Sequence, residues 1–324
     1  MINSSRIFFR NLSATGQYDI SCSNSMDISF FIFARKSSSF AYILLAIKSV
    51  VCSLTAVVGN TIVILALGRS KSMHSATRAL FYSLAFSDLA TGLTQPLFVA
   101  YLLGVAWDNA WLYCTVALPF SLTALFFSMV SLWTLSTIAV DRYLALHLLT
   151  RYKTVVTVKL IVAALVLGWL ISAFCTVSIF FSFKFAKIVG DIVIFICIVI
   201  SLYCYRRNYI TLRQQKLHVQ ALRSFQVEHY RKSLKSMFII FCLFLLTYIP
   251  FFCILVFVTI EGFGSTSLFI LDVSTLIVMA NSLLNPVVYC MRVQDLKVES
   301  IRVIHSIFFC LPVIWCKKEV GPLP

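Results

Sequence analysis

Seven long apolar runs predict an all-α membrane protein, a seven-transmembrane-helix bundle with a short amphipathic helix after the last span. Composition agrees. Of the 324 residues, 60% are hydrophobic and only 12% charged, and the mean hydropathy is +0.94. A water-soluble domain carries about 25% charged residues, so the polar surface that water demands is missing. A hydrocarbon core about 30 Å thick takes roughly 20 residues of helix. Seven such spans with short loops use nearly the whole chain, which leaves no room for a separate soluble domain. The runs are continuous, without the period-two alternation of a transmembrane barrel.

In order, the predicted spans are Ala41–Gly68, Ala79–Leu103, Trp111–Leu144, Leu160–Phe183, Ile188–Tyr209, Leu234–Glu261 and Ser267–Met291. The fifth is the weakest, with Asp191 near its start. Residues 1–40 precede the bundle, 41–291 form it, and 292–324 make the amphipathic helix and tail. Tyr209–Lys235 is polar and helix-favouring and extends the fifth and sixth helices out of the membrane. Beyond the last span, Val293, Leu296, Val298, Ile301 and Ile304 recur at near-helical spacing among Arg292, Lys297 and Arg302. That pattern suits a helix lying on a membrane surface. No internal repeat is visible, which argues against a transporter built from duplicated halves.

The net charge of +15 is unevenly placed. Basic residues gather after the first span (Arg69, Lys71, Arg78), after the third (Arg151, Lys153, Lys159) and above all after the fifth (Arg206, Arg207, Arg213, Lys216, Arg223, Arg231, Lys232, Lys235). Short basic loops mark the cytoplasmic face. The amino terminus is then extracellular and the carboxyl terminus cytoplasmic, against the local vote of Arg35 and Lys36. The anionic inner leaflet accounts for these charges, so no nucleic-acid partner is expected. Asn3-Ser4-Ser5 and Asn11-Leu12-Ser13 are glycosylation sequons on the outer side. Most of the eleven cysteines lie inside spans as small apolar residues. Cys22 and Cys114 face the oxidising side, where a bond between them stays open. Cys310 and Cys316 are candidates for palmitoylation.

Polar residues inside spans are costly and are functional hypotheses by default. Asp88 lies in the middle of the second span, Asp141-Arg142-Tyr143 closes the third, and Asn285-Pro286-Val287-Val288-Tyr289 sits in the seventh. Pro250 and Pro286 each remove a backbone hydrogen bond and kink their helices. Together with Gly59-Asn60, the run Ser83-Leu84-Ala85-Phe86-Ser87-Asp88-Leu89 and Trp169, these residues resemble the rhodopsin-like (class A) G-protein-coupled receptors from about Ala41 to Leu296.

The resemblance implies a plasma-membrane receptor that passes binding of an extracellular ligand to a heterotrimeric G protein, with arrestin and a receptor kinase as further partners and lipids around it. It implies that Asp141 holds Arg142 at rest and that Arg142 swings out on activation; an ordinary snorkelling arginine is the plain alternative. Ser131, Asn281, Ser282 and Asn285 sit where the family gathers polar groups around the acid at Asp88, often with an allosteric sodium ion. A protonated Asp88 acting as interhelical glue is the competing reading. No cofactor is required. Below Pro250 the sixth helix should rotate outward. Phe244 is retained, but Thr247-Tyr248 replaces the family's Cys-Trp, so Tyr248 becomes the aromatic switch. Tyr289 should meet Tyr203 through water.

Ala117 stands where most relatives keep the cysteine of a loop disulfide, the loop after the fourth span is very short, and the fifth span lacks the usual proline. This combination is similar to the branch holding melanocortin, adenosine, cannabinoid and lysophospholipid receptors. Reduction of disulfides is accordingly expected to matter little. By spacing from the motifs, the pocket is lined by Phe98, Ala124, Leu125, Ser128, Tyr248, Phe251, Phe252, Leu255, Thr275 and Met279, with Asp272 at its rim. There is no acid at Ala124 for an amine and no lysine at Met279 for retinal. A lipid, a small neutral molecule or a peptide anchor is expected. A hydrolase is disfavoured because metal-ligand spacings and a nucleophile elbow are missing. A transporter or channel using Asp88 is the runner-up.

Overall fold

The structure, a computed structural model, describes residues 38–70, 73–148, 151–218, 245–258, 260–262, 264–292 and 296–306, with Ile32 and Ala34. These residues form α1 (Ser39–Arg69), α2 (Ser75–Ala106), α3 (Ala110–Leu148), a one-turn helix Tyr152–Val155, α4 (Val158–Val177), α5 (Phe183–His218), α6 (Leu245–Val258), α7 (Ser265–Arg292) and α8 (296–306). Among the described residues no strand occurs. Helices α1–α5 and α7 are long and apolar enough to cross a membrane, and α6 is a shorter apolar helix in its described part.

Helix ends follow local chemistry. Asn109 accepts a side-chain bond from the Leu112 amide at 3.0 Å and starts α3. Thr157 does the same for Leu160 at 3.3 Å and starts α4. Between α2 and α3 the chain reverses through Asp108, whose φ of 54° is left-handed, a conformation that short polar side chains tolerate. α5 begins about five residues earlier than the apolar run indicates: Ser182 Oγ accepts from the Phe185 amide at 3.3 Å at its start, and Lys187 and Asp191 pair one turn apart (3.2 Å) within it.

Large apolar side chains such as Leu54, Val58, Leu170, Phe174 and Phe195 point outward, as a lipid-facing surface requires. Inside, small residues set the spacing. A Cβ on Gly168 would lie 2.1 Å from the Trp133 ring of α3, so α4 meets α3 with an indole seated on bare backbone; its N–H donates to Ala164 O at 2.9 Å. Gly59 similarly admits the Pro286 ring, 3.1 Å from where its Cβ would be.

Prolines interrupt four helices (Pro96 in α2, Pro119 in α3, Pro250 in α6 and Pro286 in α7), and α1 repairs two of the breaks. Pro96 cannot donate to the Gly92 carbonyl four residues back, and Ser53 Oγ donates to that oxygen instead at 2.8 Å. Pro286 leaves the Ser282 carbonyl in the same condition, and Asn60 Nδ2 donates to it at 3.0 Å. In a bilayer an orphaned carbonyl has no water to turn to.

α8 carries the predicted amphipathic pattern with a different seating. Leu296, Ser300 and Val303 are buried against the bundle, while Val298, Ile301 and Ile304 are exposed. Val293 lies outside the described residues, as do both sequons, Cys22, Cys310, Cys316 and the start of the sixth span.

Ser53→Ala is expected to destabilise the purified protein by about 0.6–2 kcal/mol. Adding Pro96→Ala restores an amide for Gly92 and should recover much of that loss. Thermal unfolding of the two singles and the double measures the coupling; strict additivity would contradict the repair.

Candidate functional site

Three polar features line up inside the bundle: a cavity, a buried carboxylate and an ionic latch. The cavity encloses about 260 Å³ between α2, α3, α5, α6 and α7. Of the residues placed there by spacing, Ala124, Leu125, Ser128, Tyr248, Phe251, Leu255, Asp272 and Thr275 line it. Three others do not. Phe98 is fully buried behind the wall, stacked on Phe120 at 4.7 Å, and Met279 is buried in the same cluster. Phe252 turns toward Phe195 of α5, with centroids 6.3 Å apart. Aromatic stacking fills the depth that spacing alone assigns to the cavity.

The wall is also more charged than expected. Lys187 and Asp191 both line it, and Lys187 Nζ donates to Asp191 and to the Leu255 carbonyl of α6 at 2.5 Å. Asp272 is only 5% exposed and accepts from Tyr42 Oη of α1 at 3.3 Å, so it is part of the interior and not a solvated rim charge. At the floor Tyr248 Oη donates to the Ser128 carbonyl at 3.4 Å, joining α6 to α3.

Nearer the middle of the bundle Asp88 is fully buried. Ser131 Oγ of α3 donates to its Oδ1 at 3.0 Å, Ser282 Oγ of α7 to the same oxygen at 2.9 Å, and Asn285 Nδ2 to Oδ2 at 2.7 Å. Three helices therefore converge on one carboxylate. Asn281, buried one turn earlier on α7, makes no bond to Asp88. Beside this set, Trp169 Nε1 of α4 lies 3.5 Å from Ser83 Oγ, which in turn meets Thr134 Oγ1 of α3 at 3.2 Å.

The latch lies at the far end of α3. Arg142 forms an ion pair with Asp141, and its guanidinium also donates to Thr77 Oγ1 of α2 at 2.7 Å. Tyr152, on the one-turn helix, donates to the other Asp141 oxygen at 2.6 Å. Burial, this bond and the charge of Asp141 push the Tyr152 phenol up to about 12, so it remains a donor at neutral pH. Tyr143 packs on His147 at 4.1 Å.

Two expectations are corrected by this geometry. Tyr203 is 56% exposed and faces outward near Tyr143, at 6.1 Å, while Ser201 turns inward to Ser136 at 3.2 Å. Positions two apart on a helix point to opposite sides, so Tyr203 faces away from the interior that Ser201 enters. The side chain of Tyr289, and all of Phe244, lie outside the described residues. Second, Cys114 is disulfide-bonded, so reduction has a target after all. Thr77, Tyr152, Lys187 and Ser53 were missed in the sequence. The i,i+4 spacing of Lys187 and Asp191 was a usable signal; the others carried none.

A model of the 7 transmembrane receptor (rhodopsin family) matches residues 59–187 and 181–289. The chain is 27% identical over 299 residues to the adenosine receptor A3 of Ovis aries, covering 81% of this chain and 90% of that receptor. It is 23% identical over 287 residues to the histamine H2 receptor of Cavia porcellus, covering 81% and 78%. The crystal structure of squid rhodopsin superposes with a TM-score of 0.70 at 16% identity, over 85% of this chain and 88% of that one, which establishes the shared fold. The chain belongs to the rhodopsin family of seven-transmembrane receptors, as a G-protein-coupled receptor and not an enzyme.

Proposed function

We propose that a small extracellular ligand enters the cavity and shifts a resting–active equilibrium, releasing Arg142 to engage a heterotrimeric G protein. One observation carries this reading. Asp88 gathers donors from α3 and α7 between the Tyr248–Ser128 contact and the Arg142 latch. Ligand and G protein then favour each other's binding reciprocally. The relatives are named for adenosine and for histamine, which supports a small molecule over a peptide or a lipid. Basic loops support an extracellular amino terminus and a cytoplasmic carboxyl terminus. Arrestin and a receptor kinase are partners of the same inner face.

The donor set around Asp88 suits sodium. The hydroxyls of Ser131 and Ser282 donate to the carboxylate and keep oxygen lone pairs free, and Asn285 keeps its carbonyl oxygen. A small hard cation takes such oxygen ligands. Asp88, Ser131, Ser282 and Asn285 would hold it, with Asn281 nearby on the same helix. A bound sodium favours the compact resting form by mass action.

At the pocket end, we propose Cys22 as the partner of Cys114, because the proposed orientation places both on the outer side. A bond between them would tie the N-terminal segment to the start of α3.

Tyr152→Phe removes one of two groups holding Asp141 and should raise ligand-independent nucleotide exchange roughly ten-fold, the worth of one hydrogen bond to a charged group. Arg142→Ala should abolish exchange in the same assay; exchange unchanged in both variants would contradict the latch. Replacing choline by sodium should raise the melting temperature of the wild type and not of Asp88→Asn, and identical responses would remove the ion site. Cys22→Ser and Cys114→Ser should lower surface expression equally, with no further loss in the double variant. Independent losses would mean a different partner for Cys114.

A further inference from the structure

The cavity wall holds more carboxyl groups than cations, and that imbalance bears on the ligand. Its wall carries two carboxylates, Asp191 and Asp272, and one ammonium, Lys187. Lys187 is committed to Asp191 at 3.2 Å. Asp272 has no lysine or arginine within ion-pair distance among the described residues; its partners are the Tyr42 phenol at 3.3 Å and Tyr101 beside it on α2. A carboxylate that is 5% exposed inside a membrane bundle is costly unless something of opposite charge completes it. The rest of the wall offers ring faces and edges from Tyr101, Tyr113, Phe120 and Phe251, which accept an apolar or aromatic body and, through their faces, a cation. The available space, about 260 Å³, admits a small molecule.

We propose that this cavity takes a small monocationic amine whose ammonium docks on Asp272 and whose apolar body lies against the aromatic wall. The proposal rests on the receptor reading above and narrows it. It also revises the sequence argument against an amine: the missing acid at Ala124 of α3 is supplied across the cavity by α7. Anchoring there has a mechanical result. Asp272 sits thirteen residues before Asn285 on the same helix, about 20 Å along its axis. The ligand would thus pull on the helix that delivers Ser282 and Asn285 to Asp88, with α1 engaged through Tyr42.

The test uses the purified full-length receptor and three probes, 2-phenylethylamine, benzylamine and cyclohexylmethylamine, each paired with its neutral alcohol. Thermal unfolding should show a saturable rise in melting temperature with at least one amine and none with the alcohols. Asp272→Asn, which keeps the volume and removes the charge, should weaken that amine at least about ten-fold. Glu261→Gln, an equal change of charge at an exposed position of the same end, should leave it unaltered. If Asp272→Asn does not fold, the amine-versus-alcohol comparison in the wild type decides alone. Equal responses to amine and alcohol, no response to any probe, or an amine response that survives Asp272→Asn overturns the proposal. The receptor reading is judged separately: ligand-independent nucleotide exchange that is present in the wild type and lost in Arg142→Ala sustains it whatever the probes do.

Discussion

A backbone carbonyl that loses its helical donor inside a lipid-embedded bundle must find another, and α1 is built around supplying two of them. Ser53 and Asn60 stand seven residues apart, two turns along one face of α1. Each reaches a carbonyl released by a proline, one on α2 and one on α7. Glycines make the reach short: a Cβ on Gly92 would press within 3.1 Å of Ala56, and one on Gly59 would press on Pro286. Two proline-interrupted helices are thereby fastened to one without proline. The interruptions can persist because their polar cost is met locally.

That fastening positions the interior carboxylate. Ser282 takes part twice, its carbonyl accepting from Asn60 and its hydroxyl donating to Asp88. A displacement of α7 therefore cannot leave Asp88 undisturbed. At the far end, Asp141 is held by a phenol and a guanidinium, and the guanidinium also leans on Thr77 of α2. α2 carries both Thr77 and Asp88, so the two polar centres share a rigid element. This arrangement suits an equilibrium between two discrete packings better than a continuous deformation.

Much of this was legible in the sequence, for physical reasons. Lipid imposes long apolar runs, so six of the spans were readable to within a few residues, while the start of the sixth lies outside the described residues. Charged or amide groups inside the runs were too costly to be incidental. Asp88 with Ser131, Ser282 and Asn285 came together as expected. What failed depends on rotation about helix axes. With no proline to mark its register, α5 gave no means of deciding between Ser201 and Tyr203 as the inward residue. Phe98 and Met279 were assigned to the cavity because spacing along a helix says nothing about a second aromatic layer in front of them. Thr77 and Tyr152 join the latch only through tertiary packing, and no pattern in the chain marks a hydroxyl that will meet a charge 65 or 11 residues away.

Cys114 carries a practical implication for preparing the molecule. Most of the thiols recorded as free, including Cys175, Cys197 and Cys204, are buried in the bundle and shielded from oxidants, whereas Cys253 is exposed. A reductant added to protect them would do little for those thiols and would attack the bridge at Cys114. Buffers free of dithiothreitol, and a eukaryotic secretory host whose lumen forms that bridge during synthesis, follow directly from where the sulfurs sit.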